Sequence, residues 1–171
     1  IDAAKKALSV EPTLPAAHLC LATVYETQRL PPDSLIAAAL RATRGDSLNP
    51  TAWETIARAY LVKRDTVSAI DAFQHQLQGE PLNMQLRMGV AELLWRQRAY
   101  PLAVRLLDEG LARKPGDASL LDLRSRICVE GQLWRCVLDG FVQRVEADSS
   151  VLGDSTLLKA GLGAAQQMAD T

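Results

Sequence analysis

Apolar residues in this chain recur at helical spacing, and the pattern itself repeats. Trp53, Ile56, Ala57 and Tyr60 fall at i, i+3, i+4 and i+7, the stripe of one helix face. Ala69 and Phe73 continue it after a polar break, and Pro81 ends the unit. All seven positions return 34 residues later as Arg87, Val90, Ala91, Leu94, Ala103, Leu107 and Pro115. A period of this length with two apolar stripes per unit predicts an array of helical hairpins, each burying its apolar face only by stacking on its neighbours.

The same reading runs along the chain. Helices are expected at about 1–11, 16–29, 33–44, 53–62, 66–78, 84–97, 100–113, 118–130, 133–146 and 154–168. The breaks between them hold Pro12 and Pro15, then Leu30-Pro31-Pro32-Asp33, Asn49-Pro50, Lys63-Arg64-Asp65, Gly79-Glu80-Pro81 and Lys114-Pro115-Gly116-Asp117. The stretch Leu30-Pro31-Pro32-Asp33 also supplies a cap for the helix that follows it. Pro101 sits in a first helical turn, where its missing N–H costs nothing. His18, Leu21, Ala22 and Tyr25 occupy in an earlier unit the positions of Trp53, Ile56, Ala57 and Tyr60, and Leu121, Arg124, Ser125 and Cys128 occupy them in a later one. Small residues at Ala22, Ala57, Ala91 and Ser125 let two helices cross closely.

These units resemble the tetratricopeptide repeat, a 34-residue helix-turn-helix with a bulky residue, a small residue, Tyr, then Ala, an aromatic and Pro. Residues 50–83 are the clearest copy, and the likeness covers roughly 1–165. The resemblance implies an all-α fold, a right-handed α-solenoid of about ten helices that starts and ends on half-repeats. Residues 1–171 then form one domain: half-repeat 1–14, repeats at about 15–49, 50–83, 84–117 and 118–151, and a terminal half-repeat 152–171. It also implies that the first helix of each hairpin lines a groove for peptides or partner helices. Leu19, Thr23, Glu54, Arg58, Leu61, Met88, Glu92, Trp95, Asp122, Arg126 and Val129 fall on that face. Family members that grip acidic chaperone tails use Lys and Asn in this groove. Leu19, Thr23, Glu54, Arg58, Met88 and Glu92 do not match that clamp.

Three acid-first i, i+4 pairs, Glu54/Arg58, Glu92/Arg96 and Asp122/Arg126, lie on the same face, each worth roughly 0.2–0.5 kcal/mol. They read first as self-neutralised helix surface. Trp95, Met88 and Leu61 place apolar side chains among them, and aromatic anchors dominate many interfaces, so the surface also suits a mixed apolar and charged segment.

Composition narrows the function classes. Of 171 residues, 48% are hydrophobic and only 5% aromatic, which favours helix over strand. Nineteen Lys and Arg against 20 Asp and Glu leave a net charge of −1. No basic field attracts a phosphate backbone, so no nucleic-acid partner is expected. No apolar run approaches the roughly 18–20 residues of a membrane span, and a soluble chain of open compartment is expected. The two histidines, His18 and His75, belong to different units. His18 takes the bulky packing site, and His18-x-Cys20 diverges on a helix. Gly161-x-Gly163 follows no strand. No catalytic constellation, metal site or cofactor loop is expected.

Cys128 and Cys136 flank one hairpin turn. Two reduced core thiols are the first reading and a disulfide the alternative; a bridge would favour an oxidising or exported setting.

The ends are complementary. The chain begins at Ile1, inside what reads as a second helix, and ends after a first helix, so the fragments are two halves of one hairpin. Either the chain is cut from a longer array, or Ala4, Ala7 and Leu8 of one copy accept Leu157, Gly161 and Ala164 of another, head to tail. A frayed end is the simple alternative. The expected function is a non-enzymatic protein-binding scaffold, with a head-to-tail filament subunit as the alternative. An RNA-binding helical repeat and a regulatory segment of a larger enzyme stand behind it.

Overall fold

The computed structural model describes residues 2–147 and 155–169, and every regular element among them is a helix. The elements are α1 (Asp2–Val10), α2 (Pro15–Thr27), α3 (Pro32–Gly45), α4 (Pro50–Val62), α5 (Thr66–Gly79), α6 (Met84–Arg96), α7 (Tyr100–Arg113), α8 (Ala118–Glu130), α9 (Trp134–Ala147) and α10 (Ser155–Ala169). Each lies within about two residues of its expected span, except that α4 begins three residues earlier, at Pro50. The chain divides into two compact units, Ile1–Leu86 and Arg87–Thr171, and the division falls within α6.

In the first unit α1 packs on α2, α2 on α3, α3 on α4 and α4 on α5, and α2 also touches α4. The crossings are made by alanine. Ala39, Ala57 and Ala69 are fully buried, and Trp53, Tyr60 and Phe73 pack around Ala39, Ile56, Ala57 and Ala72. In the second unit α7 packs on α8, α8 on α9 and α9 on α10, with Ala91, Ala103, Leu107, Leu120 and Ile127 fully enclosed.

The turn inside each hairpin has one backbone solution. Arg29, Arg64, Arg98 and Gln132 are left-handed, with φ of 53°, 60°, 59° and 52°. After each, the amide of the next residue reaches back to the helix: Leu30 to the Tyr25 carbonyl, Asp65 to Tyr60, Ala99 to Leu94 and Leu133 to Cys128, at 2.9–3.0 Å. This is the Schellman closure, which ordinarily takes glycine at the left-handed position. Here long unbranched side chains occupy it, which the backbone accepts more readily than a β-branched one.

Between hairpins the chain stops by capping. Asn49 accepts the Ala52 amide at 3.0 Å, Asn83 that of Leu86 at 2.9 Å, and Asp117 those of Ser119 and Leu120 at 3.1 and 3.2 Å. Inside a hairpin, Asp65 accepts the amide and hydroxyl of Ser68. Pro31 is the N-cap of α3, and Asp33 sits in the first turn, 2.6 Å from Lys63 Nζ. Pro32 at N1 needs no capped N–H, so the carboxylate is left for the lysine.

The Ser68 hydroxyl and amide hold the Asp65 carboxyl below its ordinary value, and Lys114, followed by the Leu120 amide, does the same for Asp117. A carboxyl depressed in the folded chain contributes stability above its unfolded pKa of about 3.9, and the contribution is lost as pH falls through the lower folded value. The double variant Asp65→Ala/Asp117→Ala is therefore expected to lose less stability than the wild type between pH 7 and pH 3. Urea midpoints at the two pH values give the comparison, and equal losses would contradict it.

Candidate partner-binding surface

In the first unit the face of α2 and α4 carries Leu19, Thr23, Glu54, Arg58 and Leu61. Leu19 and Glu54 are half-buried, while Thr23, Arg58 and Leu61 are exposed; the Thr23 hydroxyl donates to the Leu19 carbonyl at 3.0 Å. Arg58 does not spend its charge mainly within its own helix, as its spacing suggests. One guanidinium nitrogen meets both oxygens of Glu26 on α2, at 2.6 and 2.7 Å, while Glu54 lies 3.6 Å away. Neighbouring first helices lie side by side, so a carboxylate one helix back can be nearer than one a turn back.

The second unit carries the remaining residues on α6 and α8. Met88 is half-buried; Glu92, Asp122, Arg126 and Val129 are exposed. Asp122 and Arg126 form the expected pair at 3.1 Å, whereas Glu92 and Arg96 make no ion pair among the described residues. Trp95 is half-buried beside α8. Its indole N–H donates to Glu130 at 2.8 Å, the Arg126 guanidinium carbon stands 5.8 Å from its ring centre, and the Tyr100 hydroxyl meets the other Glu130 oxygen at 3.5 Å. Trp95, Ser125, Arg126, Val129 and Glu130 line a shallow cavity of about 430 Å³. It offers an aromatic wall, an exposed valine, and a carboxylate and guanidinium at the rim.

The repeat makes the two units comparable. Glu26 stands in the register of Trp95, and Arg58 in that of Arg126. One slot therefore holds an ion pair in the first unit and a cation–π contact in the second. Glu26 and Glu130 were not among the expected site residues. Glu26 lies 32 positions before Arg58, three residues past the repeat-equivalent Thr23 and so about one turn further along the adjacent first helix, an offset that the repeat period alone does not point to. Glu130, at the last position of α8, had no signal either.

The bulky position behind this face is used for packing. His18 is buried with Nε2 2.8 Å from the Pro12 carbonyl, and the Trp53 indole donates to the Ser47 carbonyl at the same distance. Each ties its helix to the loop six residues upstream. Arg87, also buried, donates to the Leu106 carbonyl at 3.0 Å and lies 3.3 Å from Glu109; burial lowers its pKa and Glu109 opposes the shift.

The residues expected to join copies head to tail have partners within the chain. Ala4, Ala7 and Leu8 pack with Ala17, Leu21 and Tyr25 of α2. Gly161 and Ala164 are buried, and a Cβ at Gly161 would stand 2.8 Å from the Phe141 ring of α9. Leu157 belongs to α10, but its side chain lies outside the described residues. Within its own unit α1 packs on α2 and α10 on α9.

Cys128 and Cys136 are paired as a disulfide with Cα atoms 5.8 Å apart, the alternative rather than the first reading, while Cys20 is free and exposed. The pair crosses the α8–α9 turn, next to Val129 and Glu130. Among the described residues no group of three His, Cys, Asp or Glu side chains converges to hold a metal, and no helix is long and apolar enough to cross a membrane.

Solved structures place this architecture. The crystal structure of MamA aligns over 99% of this chain and 89% of its own, at 18% identity and a TM-score of 0.57. YrrB, described as a TPR protein with an unusual peptide-binding site, aligns over 97% of this chain and 84% of its own, at 18% identity and a TM-score of 0.56. No family model and no curated protein matches the sequence. The chain has the tetratricopeptide-repeat fold: tandem helical hairpins with no strand among the described residues.

Proposed function

We propose that the protein is a non-catalytic scaffold that binds a polypeptide segment on the first helices of its hairpins, with Trp95 as the anchor. The observation that carries this is the surface of Trp95 and Val129, apolar and accessible, bordered by Arg126 and Glu130. A segment with one apolar side chain flanked by a charge of each sign complements it. YrrB supports the reading as a protein of the same fold with a peptide-binding site.

Peptides selected on the wild-type chain from a random library provide the probe. Trp95→Ala is expected to weaken their binding by more than about 1 kcal/mol, roughly fivefold or greater, by calorimetry. Equal affinity for variant and wild type would remove Trp95 from the site. Head-to-tail association is the less supported reading, because Ala4, Ala7, Leu8, Gly161 and Ala164 are covered within the chain. It would have to use other residues of the end helices, such as Leu162, which is 67% exposed.

A further inference from the structure

The repeat places one first-helix position opposite one second-helix position 22 residues later, and the chain fills this slot differently each time. In one hairpin Trp53 stacks on His75, ring centres 4.2 Å apart and planes within 15°. In the next, Arg87 reaches Glu109 at 3.3 Å. In the α8–α9 hairpin the pair is Leu121 and Gln143, which instead line a cavity of about 510 Å³ bounded by α7, α8 and α9.

Gly140 widens the same space. It stands in the register of Ala72 and Leu106, both buried. The helix has no steric need of glycine there: an added Cβ would lie 3.5 Å from Arg124 Nη1 and 4.0 Å from Ser125 Oγ, ordinary contact distances. Gly161 is different, because the Phe141 ring occupies the place of its Cβ. Interior glycine weakens a helix, and at Gly140 what is kept in return is open volume.

The polar groups of the cavity are few and fixed. Arg124 is 8% exposed, with Nε 2.6 Å from Asp108 Oδ1 and Nη1 3.4 Å from the Cys136 carbonyl. Asp108 is half-exposed, and its second oxygen has no partner among the described residues. The ion pair cancels its own charge, so the cavity does not select an anion. Guanidinium planes stack well on aromatic rings, Leu111, Pro115 and Leu121 supply apolar wall, and the volume lies within the range of small-ligand sites.

We propose that this cavity binds a neutral planar aromatic group with a ring N–H or O–H, stacked on Arg124 and donating to Asp108. An indole or a phenol has this chemistry, whether as a free molecule or as a side chain of a partner. The site is independent of the Trp95 surface, although Ser125 borders both cavities.

The test is an amide-resolved NMR titration of the whole chain with indole, with benzene, and with a capped pentapeptide bearing a central tryptophan. Indole is expected to shift the Gly140 and Ser125 amides and to bind at least tenfold more tightly than benzene. Gly140→Leu, which restores the register's larger side chain, should keep the fold and weaken binding at least tenfold. Leu121→Trp, which fills the slot from the chain itself, should do the same. Trp95→Ala should leave it within twofold. A peptide tenfold tighter than indole identifies a partner side chain as the natural source; equal affinities identify a free aromatic molecule. No shift at Gly140 or Ser125 with any probe, binding in both filled variants within twofold of wild type, or benzene equal to indole would overturn the proposal.

Discussion

Gly161→Leu is expected to destabilise the second unit by about 1–3 kcal/mol, the usual range for forcing extra methylenes into a packed interior. Three atoms of the Phe141 ring lie 2.8–3.1 Å from where a Cβ would be, closer than side chains tolerate without moving the ring or the helix. Glycine at this point also costs α10 about 1 kcal/mol relative to alanine, so close approach to Phe141 is what retains it. Gly163 is the internal control, since nothing lies within 4 Å of its Cβ position. Gly163→Ala should hold or raise the denaturation midpoint while Gly161→Leu lowers it. If Gly161→Leu alters self-association but leaves the midpoint of the isolated chain unchanged, the residue belongs to an interface between copies, and its intramolecular packing is refuted.

Opening the Cys128–Cys136 bridge should cost about 2–3 kcal/mol in the chain-entropy account of short disulfide loops; the two residues are eight positions apart. The effect should be confined to the second unit, because the bridge joins α8 to α9 there. Cys20, free and exposed, calibrates the chemistry. After air oxidation of the dilute chain, with no thiol or disulfide reagent added, alkylation of the unfolded chain should label one thiol, and three after reduction. Urea curves with and without reductant then give the energetic difference. Three labelled thiols in the oxidised sample would mean that the bridge does not form, and coincident urea curves would mean that it does not stabilise.

Much of the fold is written in the spacing of small and bulky residues. Ala22, Ala57 and Ala91 mark helix crossings whatever surrounds them, since no larger side chain fits there. The turns inside the hairpins were legible as breaks but not as conformations. Arg29, Arg64, Arg98 and Gln132 carry none of the glycine that usually announces a left-handed residue, and only their spacing shows that they do the same work. The site was legible face by face but not partner by partner. Placing Arg58 and Glu54 on one face is a matter of helical period. Finding Glu26 as the closer partner of Arg58 requires knowing how adjacent first helices lie against each other. The disulfide was undecided for a related reason: helical period puts Cys128 and Cys136 on facing helices but does not set how far apart their Cα atoms lie.

The longest reach of any side-chain hydrogen bond described above is the 35 positions from Trp95 to Glu130. Loop closure before such contacts costs little entropy, and chains whose contacts are this local fold quickly for their size. Nearest-neighbour stacking also means that a hairpin can open and reclose while hairpins further along stay formed. Amide hydrogen exchange along this chain would then grade from hairpin to hairpin, and the slot that holds an ion pair in one place and an indole in another would report, through its own opening rate, on the stability of the hairpin that carries it.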